Sequence, residues 1–325
     1  MRQVDLLVEQ YPGFIIPINM FAIDIRKLGG TIKQRNSTDV NEPWVFERVV
    51  YNLQEDLIIF FGKNPTLSPG DEVTLEIDYD ASVNFNVMNG YGIWKQPCTD
   101  TQVSNKSHVE KLNTILKEPK AKQCWFTQFE AVGARQLLPC FDEPRAKASF
   151  DVRVARTEGW STLFNTPLLS SEPHPDREGW VWDVFETTPV MSTYTLALAI
   201  QDFASKPSAS GNMTLWAQEP YISVSPDSQT ESQSLKPESQ NGFADYPAEI
   251  GPQCVSTLES LLGVPYSLNK MDMVHVNSFG GAMENWGLIL YEFDYLLYDP
   301  SLPDPDFDRK YDVLETVAHE LVHQW

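Results

Sequence analysis

The chain has 325 residues and a formal net charge of −21, long enough to bury two proper cores. That charge argues against nucleic acid or an anionic membrane as a direct partner. Its four cysteines, Cys98, Cys124, Cys140 and Cys254, form neither a dense disulfide framework nor a paired zinc motif, although Cys98 and Cys124 could bridge in an oxidising compartment.

Taken in chain order, Met1-Arg2-Gln3-Val4-Asp5 opens without an apolar run of signal-peptide or anchor length, and Phe14-Ile15-Ile16-Pro17-Ile18 is short and broken by proline. Alternating β-branched and aromatic residues predict strands over 45–51, 57–61 and 73–79, punctuated by turns at Ser68-Pro69-Gly70-Asp71 and Asn89-Gly90. Asp142-Glu143-Pro144 reads as a structural turn in which the proline fixes the backbone. Residues 193–200 predict a buried strand, and 223–241, rich in Ser, Gln, Glu and Pro, predict a mobile loop or insertion. Helical periodicity starts near Pro247 and runs through Leu258, Leu261 and Leu262 to Gly263. No internal repeat is present. Three glycosylation sequons, at Asn36, Asn105 and Asn212, tilt the reading towards a secretory route.

The chemistry concentrates at the end. Asp272-Met273-Val274-His275-Val276 alternates as a strand, with His275 read as a packed or edge residue and not a ligand. His108 and His174 lie in polar, loop-like stretches and carry no signal. Next comes Gly280-Gly281-Ala282-Met283-Glu284-Asn285-Trp286-Gly287, ahead of another strand at 288–291. A Gly-rich segment with one acid can pair its backbone with an extended peptide while the carboxylate binds a cation; alone, it could equally be a hairpin turn. The last helix, with Asp308 or Asp312 as cap, carries an apolar stripe of Val313, Leu314, Val317, Leu321 and Val322. At its end stands His319-Glu320-Leu321-Val322-His323. Two histidines four apart share one helix face, about 6 Å apart along the axis, so both can reach one zinc ion with Glu320 beside it. Glu315 is too far from His323, roughly 12 Å along the helix, for both to bind one metal, and reads as a solvated residue.

With these motifs the chain resembles the zinc aminopeptidases of the aminopeptidase N (membrane alanyl aminopeptidase) family, which combine Gly-Ala-Met-Glu-Asn with His-Glu-x-x-His. Further matching segments are Thr127-Gln128-Phe129-Glu130, Ala134-Arg135, Leu138-Pro139-Cys140-Phe141-Asp142-Glu143-Pro144, Lys147-Ala148-Ser149-Phe150, Thr188-Pro189-Val190-Met191-Ser192-Thr193-Tyr194 and Leu297-Tyr298-Asp299-Pro300, all in the family's order. The resemblance implies an α+β protein: an N-terminal antiparallel β domain over 1–218, then the incomplete first part of a thermolysin-like catalytic domain over 219–325. It implies His319 and His323 as ligands of one Zn2+, and Glu320 as the general base for the attacking water. Glu284 would bind the substrate's free α-amino group, Glu130 would share that task, and Gln128 would line the pocket of the N-terminal side chain. Gly281, Ala282, Met283 and Asn285 complete the peptide-binding segment.

The same resemblance exposes departures. The family's third metal ligand is a glutamate farther along than the two residues, Gln324 and Trp325, that follow His323 here, its oxyanion-stabilising tyrosine belongs to the same later stretch, and the run before the Gly pair is shorter than the family's. The chain is therefore expected to be clipped at both ends, to bind zinc weakly and to have little or no activity by itself. The expected partners are peptides with a free N-terminus, with no nucleic acid. Membrane association would come only through an N-terminal anchor or a C-terminal lipid anchor outside this chain; a homodimer is allowed. The implied location is the cell surface or extracellular space. The rival expectation is a truncated, non-catalytic relative that serves as a peptide-binding or interaction module.

Overall fold

The computed structural model describes residues 14–21, 23–33, 42–43, 46–52, 56–62, 71–81, 92–98, 122–222, 242–277, 279–299 and 307–325. The stretch 223–241, expected as an insertion, and the sequons at Asn36 and Asn105 lie outside them.

The first part of the chain is strand-built. Strands β1 (Phe14–Asn19), β5 (Leu57–Gly62) and β4 (Phe46–Asn52) form an antiparallel sheet in that order, and β3 (Glu42–Pro43), β2 (Ile23–Lys33) and β6 (Glu72–Ala81) form another. Strand β6 alternates strictly between exposed and half-buried positions. Val73, Leu75, Ile77 and Tyr79 pack on the core of Ile18, Met20, Ile23, Ile58 and Phe60, the period-2 pattern of a half-solvated antiparallel sheet. The strands expected at 45–51, 57–61 and 73–79 are β4, β5 and β6, each with bounds displaced by a residue or two. A four-stranded antiparallel sheet follows, in the order β10 (Ser161–Phe164), β13 (Leu198–Gln201), β8 (Gln123–Gln128), β7 (Gly92–Pro97). Beside it lies the antiparallel sheet β11 (Leu168–Pro173), β12 (Trp180–Phe185), β9 (Arg153–Thr157). Cys98 and Cys124, next to each other across β7 and β8, form a disulfide with Cα atoms 5.0 Å apart. The strand expected over 193–200 is shorter than read: Thr193–Thr195 form a 3-10 turn, and β13 begins only at Leu198. Apolar content there reflects burial of the turn as well as of the strand.

The second part is built on a mixed five-stranded sheet, ordered β14 (Ala204–Pro207), β15 (Met213–Ala217), β16 (Met271–His275), β18 (Leu288–Tyr291), β17 (Ala282–Met283). Strands β15, β16 and β18 are parallel neighbours, and β17 closes the edge antiparallel to β18. This sheet runs across the boundary expected at residue 218, since β14 and β15 precede it. Every residue of β16 is buried, although its sequence alternates. A central parallel strand is covered on both faces, and Asp272 and His275 are carried inside with it.

Two cores sandwich this sheet. On one face Met213, Leu215, Met271, Met273, Ile289 and Tyr291 pack against the helices α2 (Asp245–Leu262) and α4 (Phe307–Val322) through Ile250, Val313, Val317 and Leu321. On the other face Val274, Met283, Leu288 and Leu290 pack on Trp94, Phe126, Leu163 and Ala199 of the preceding sheet. Two single-turn helices, α1 (Glu219–Ile222) and α3 (Phe293–Leu296), connect elements at the helical face. Helix α2 ends as the glycine signal requires, at left-handed Gly263. In α4 the buried stripe is Val313, Val317 and Leu321, while Leu314 and Val322 face outward. One residue turns the helix by about 100°, which takes those two off the core face.

Candidate functional site

Three structural pieces converge. The first is the end of β8. Gln128 closes the strand, Phe129 is fully buried, and the chain then turns sharply so that Glu130 is exposed at its tip. The turn closes through the Gly133 N–H on the Phe129 carbonyl at 2.8 Å. A Cβ on Gly133 would stand 2.9 Å from the Gln128 carbonyl oxygen and 3.1 Å from the Gly92 nitrogen, so only glycine permits this approach.

The second piece is the segment Gly280–Gly287 around edge strand β17. The Glu292 N–H bonds the Gly281 carbonyl at 2.8 Å, and the Gly280 N–H bonds the Glu292 carboxylate at 2.6 Å. Gly281, Ala282 and Glu284 remain partly accessible, whereas Met283 and Asn285 are buried. The Gln128 amide donates to the Met283 sulfur at 3.0 Å, which fastens the end of β8 to this segment. Gly287 sits against the backbone just after β10: a Cβ there would come within 2.3 Å of the Asn165 carbonyl oxygen.

The third piece is the end of α4. The Nε2 atoms of His319 and His323 converge to 3.2 Å. Two nitrogens bound to one tetrahedral zinc at about 2 Å each stand roughly 3.3 Å apart, so the pair is already spaced for one ion. Both rings are solvent-accessible, while Glu320 between them is buried and one of its carboxylate oxygens has no hydrogen-bond partner among the described residues. Among the described residues, no third His, Cys, Asp or Glu joins the two imidazoles in a tight metal-sized group. The donor chemistry and the orphaned Glu320 oxygen fit an open zinc site with two of its ligands present.

Electrostatics tie the pieces together. The Glu320 carboxyl is pushed up to about 8 by burial, and then by the charges of Glu284 and Glu130. The Tyr194 phenol is likewise raised by burial and by the same two carboxylates. Glu284 also stands 3.8 Å from His323 Nδ1. Glu130, from the first part of the chain, and Glu284 and Glu320, from the second, therefore share one small region. A cavity of about 310 Å³ opens beside it, lined by Gly281, Ala282, Tyr295, Glu315, Thr316, His319 and Glu320.

The structure thus brings together Gln128, Glu130, Glu284, His319, Glu320 and His323, with Met283 and Asn285 beneath the surface. Sequence reasoning did not single out Tyr194, which lies within a matching segment but has no distinctive spacing, or Gln324, whose side-chain hydrogen bonds are remote in sequence. His275, read as a packed or edge residue, is fully buried edge-on against the rings of Tyr221 and Phe293.

With that geometry in view, the comparisons with known proteins are specific. Residues 16–195, more than half of the chain, match the Peptidase M1 N-terminal domain, and residues 246–325 match the Peptidase family M1 domain. The chain belongs to the M1 peptidase family. It is similar to aminopeptidase Q of Mus musculus, 34% identical over 219 residues, covering 66% of this chain and 36% of that protein. It is similar to aminopeptidase N of Oryctolagus cuniculus, 34% identical over 203 residues, covering 61% of this chain and 19% of the relative. Glutamyl aminopeptidase of Homo sapiens is 34% identical over 216 residues, covering 65% of this chain and 20% of the relative. The chain thus spans between 19% and 36% of the length of these relatives.

Proposed function

We propose that these residues form the amine-recognition and metal-binding half of a zinc aminopeptidase site that removes N-terminal residues from peptides. The observation that carries the reading is a zinc-spaced histidine pair with the Glu284 carboxylate 3.8 Å away, in a region that Glu130 also faces. Two carboxylates close together repel each other, and an α-ammonium between them relieves that repulsion. Its position beside the histidines then limits cleavage to the first peptide bond.

His319 and His323 would hold the ion through their Nε2 atoms. When bound, zinc would supply Lewis-acid polarisation and make a water molecule more acidic. Glu320, one residue from His319 and facing inward, would take a proton from the attacking water and return it to the leaving amine. Ala282, on edge strand β17, and Gly281, just before it, would offer backbone groups to the peptide. Gln128 and Met283 would border the pocket for the first side chain, and Met283 and Asn285, being buried, would act chiefly by shaping the segment. Peptides with a free N-terminus are the proposed partners. A glycosylated protein at the cell surface or outside the cell is the proposed setting.

A second reading is favoured by the absence of a third ligand among the described residues: by itself, the chain would be a peptide-end binding module with little or no turnover. Zinc titration against a competing dye tests both readings. The 325-residue chain is expected to bind zinc weakly, and His319→Ala and His323→Ala are each expected to lose at least about tenfold in affinity. No zinc binding by the unaltered chain would sink the metal assignment. Near-stoichiometric zinc after dialysis, with chelator-sensitive release of amino acids, would sink the module reading.

A further inference from the structure

We propose that Gln324 is a positioning residue that locks the amine-recognition segment to the histidine helix and so sets the register between Glu284 and the metal-binding pair. The inference rests on the exopeptidase reading above and deepens it. Gln324 directly follows His323, is 6% exposed and spends both ends of its amide on one segment. Its Nε2 donates to the Glu284 carbonyl at 3.0 Å, and its Oε1 accepts from the Gly287 N–H at 3.0 Å.

The far side of that segment is held by other parts of the fold. Asn165 Nδ2 donates to the Trp286 carbonyl and to the Thr195 carbonyl, each at 2.8 Å, while its Oδ1 accepts from the Ala197 N–H at 2.8 Å. Lys270 Nζ donates to the Gly287 carbonyl at 2.8 Å, to Asp272 at 2.7 Å and to the Phe164 carbonyl. Trp286 and Gly287 are therefore pinned to the preceding β structure, and Gln324, just beyond the end of α4, hydrogen-bonds the same segment from the helix side. The task needs a donor and an acceptor at once, which an amide supplies and a carboxylate or an ammonium does not. With both bonds made, Glu284 is held 3.8 Å from His323. Without them, Glu284 is free to drift relative to the helix while the two histidines, four apart on one helix, keep their spacing.

Amine recognition should thus suffer and metal affinity should not, a split that a merely structural role would not produce. The test uses the chelator-treated 325-residue chain and NMR titration with L-leucinamide and N-acetyl-L-leucinamide. The unaltered chain is expected to favour the free amine. Gln324→Met, which keeps the packing and loses both bonds, is expected to lower that preference at least about fivefold, with zinc affinity unchanged within about twofold. An unaltered preference in a folded Gln324→Met overturns the role of Gln324 alone, as does a parallel loss of zinc affinity. If the unaltered chain does not discriminate between the two amides, the exopeptidase reading fails and takes this inference with it. Should Gln324→Met melt below the assay temperature, Gln324→Glu keeps an acceptor for Gly287 and loses the donor to Glu284. An intermediate preference from that variant supports the proposal, and one equal to the unaltered chain overturns it.

Discussion

A histidine without a hydrogen bond is an unusual thing to bury, and His275 is buried with neither ring nitrogen partnered among the described residues. Burial pushes its pKa down to about 3, so the folded protein keeps it neutral while the unfolded chain titrates near 6.5. The folded-state value lies below the unfolded one. Stability from this residue is therefore complete above about pH 6.5 and declines from there towards pH 3, by about 1.4 kcal/mol per pH unit. His275→Phe should be close to neutral at pH 7.5, because no bond is lost, and should flatten that decline. Denaturant melts from pH 7.5 to 4 check it; equal slopes for the two proteins would refute the assignment. At this scale the sequence was informative where residues act through local spacing: His319, Glu320 and His323 share a helix turn, and Glu284 lies in a short Gly-rich motif. Gln324 and Tyr194 were not legible, since their partners lie across the fold and no periodicity signals them.

Elements were readable to the extent that one face of each meets water. Strand β6 shows a clean period, and helix α2 matches its expected bounds within a few residues, although Leu261 and Leu262 at its end face solvent. Strand β16 alternates in sequence yet is buried throughout, because its neighbours β15 and β18 carry it into the centre of a sheet covered on both faces. Helix α4 lies between these cases: its stripe was read one position too wide. The difference is measurable. Leu321→Ala, at a fully buried position, should cost about 2–5 kcal/mol, whereas Leu314→Ala, 36% exposed, should stay within about 0.5 kcal/mol. Equal costs in denaturant melts would mean that the helix is rotated from the position described.

Across the whole molecule, the core of Trp94, Phe126, Leu163, Val274, Met283 and Leu290 draws on both family-matched regions. Interior contacts of this kind couple the two parts as one domain core would, more tightly than the polar interfaces usual between domains. Phe126→Ala should therefore lower the melting transition reported by probes in either part, by about 3–5 kcal/mol in total stability. Two separate transitions, with only the first displaced, would refute the coupling. None of this was legible beforehand, because a strand's sequence shows that it has a buried face but not which sheet lies against it.

The turn after β8 has a historical consequence. It contributes Glu130 and Gln128 from one family-matched region to a site whose histidines belong to the other. On the proposed reading, the choice of terminal side chain and the cutting machinery would be inherited on separate stretches of chain, which meet where Gln128 bonds Met283 and along the shared core. On that same reading, exchange of 122–133 between relatives would graft a new preference onto an untouched helix, a route by which one peptidase lineage could diversify its diet without reinventing its blade.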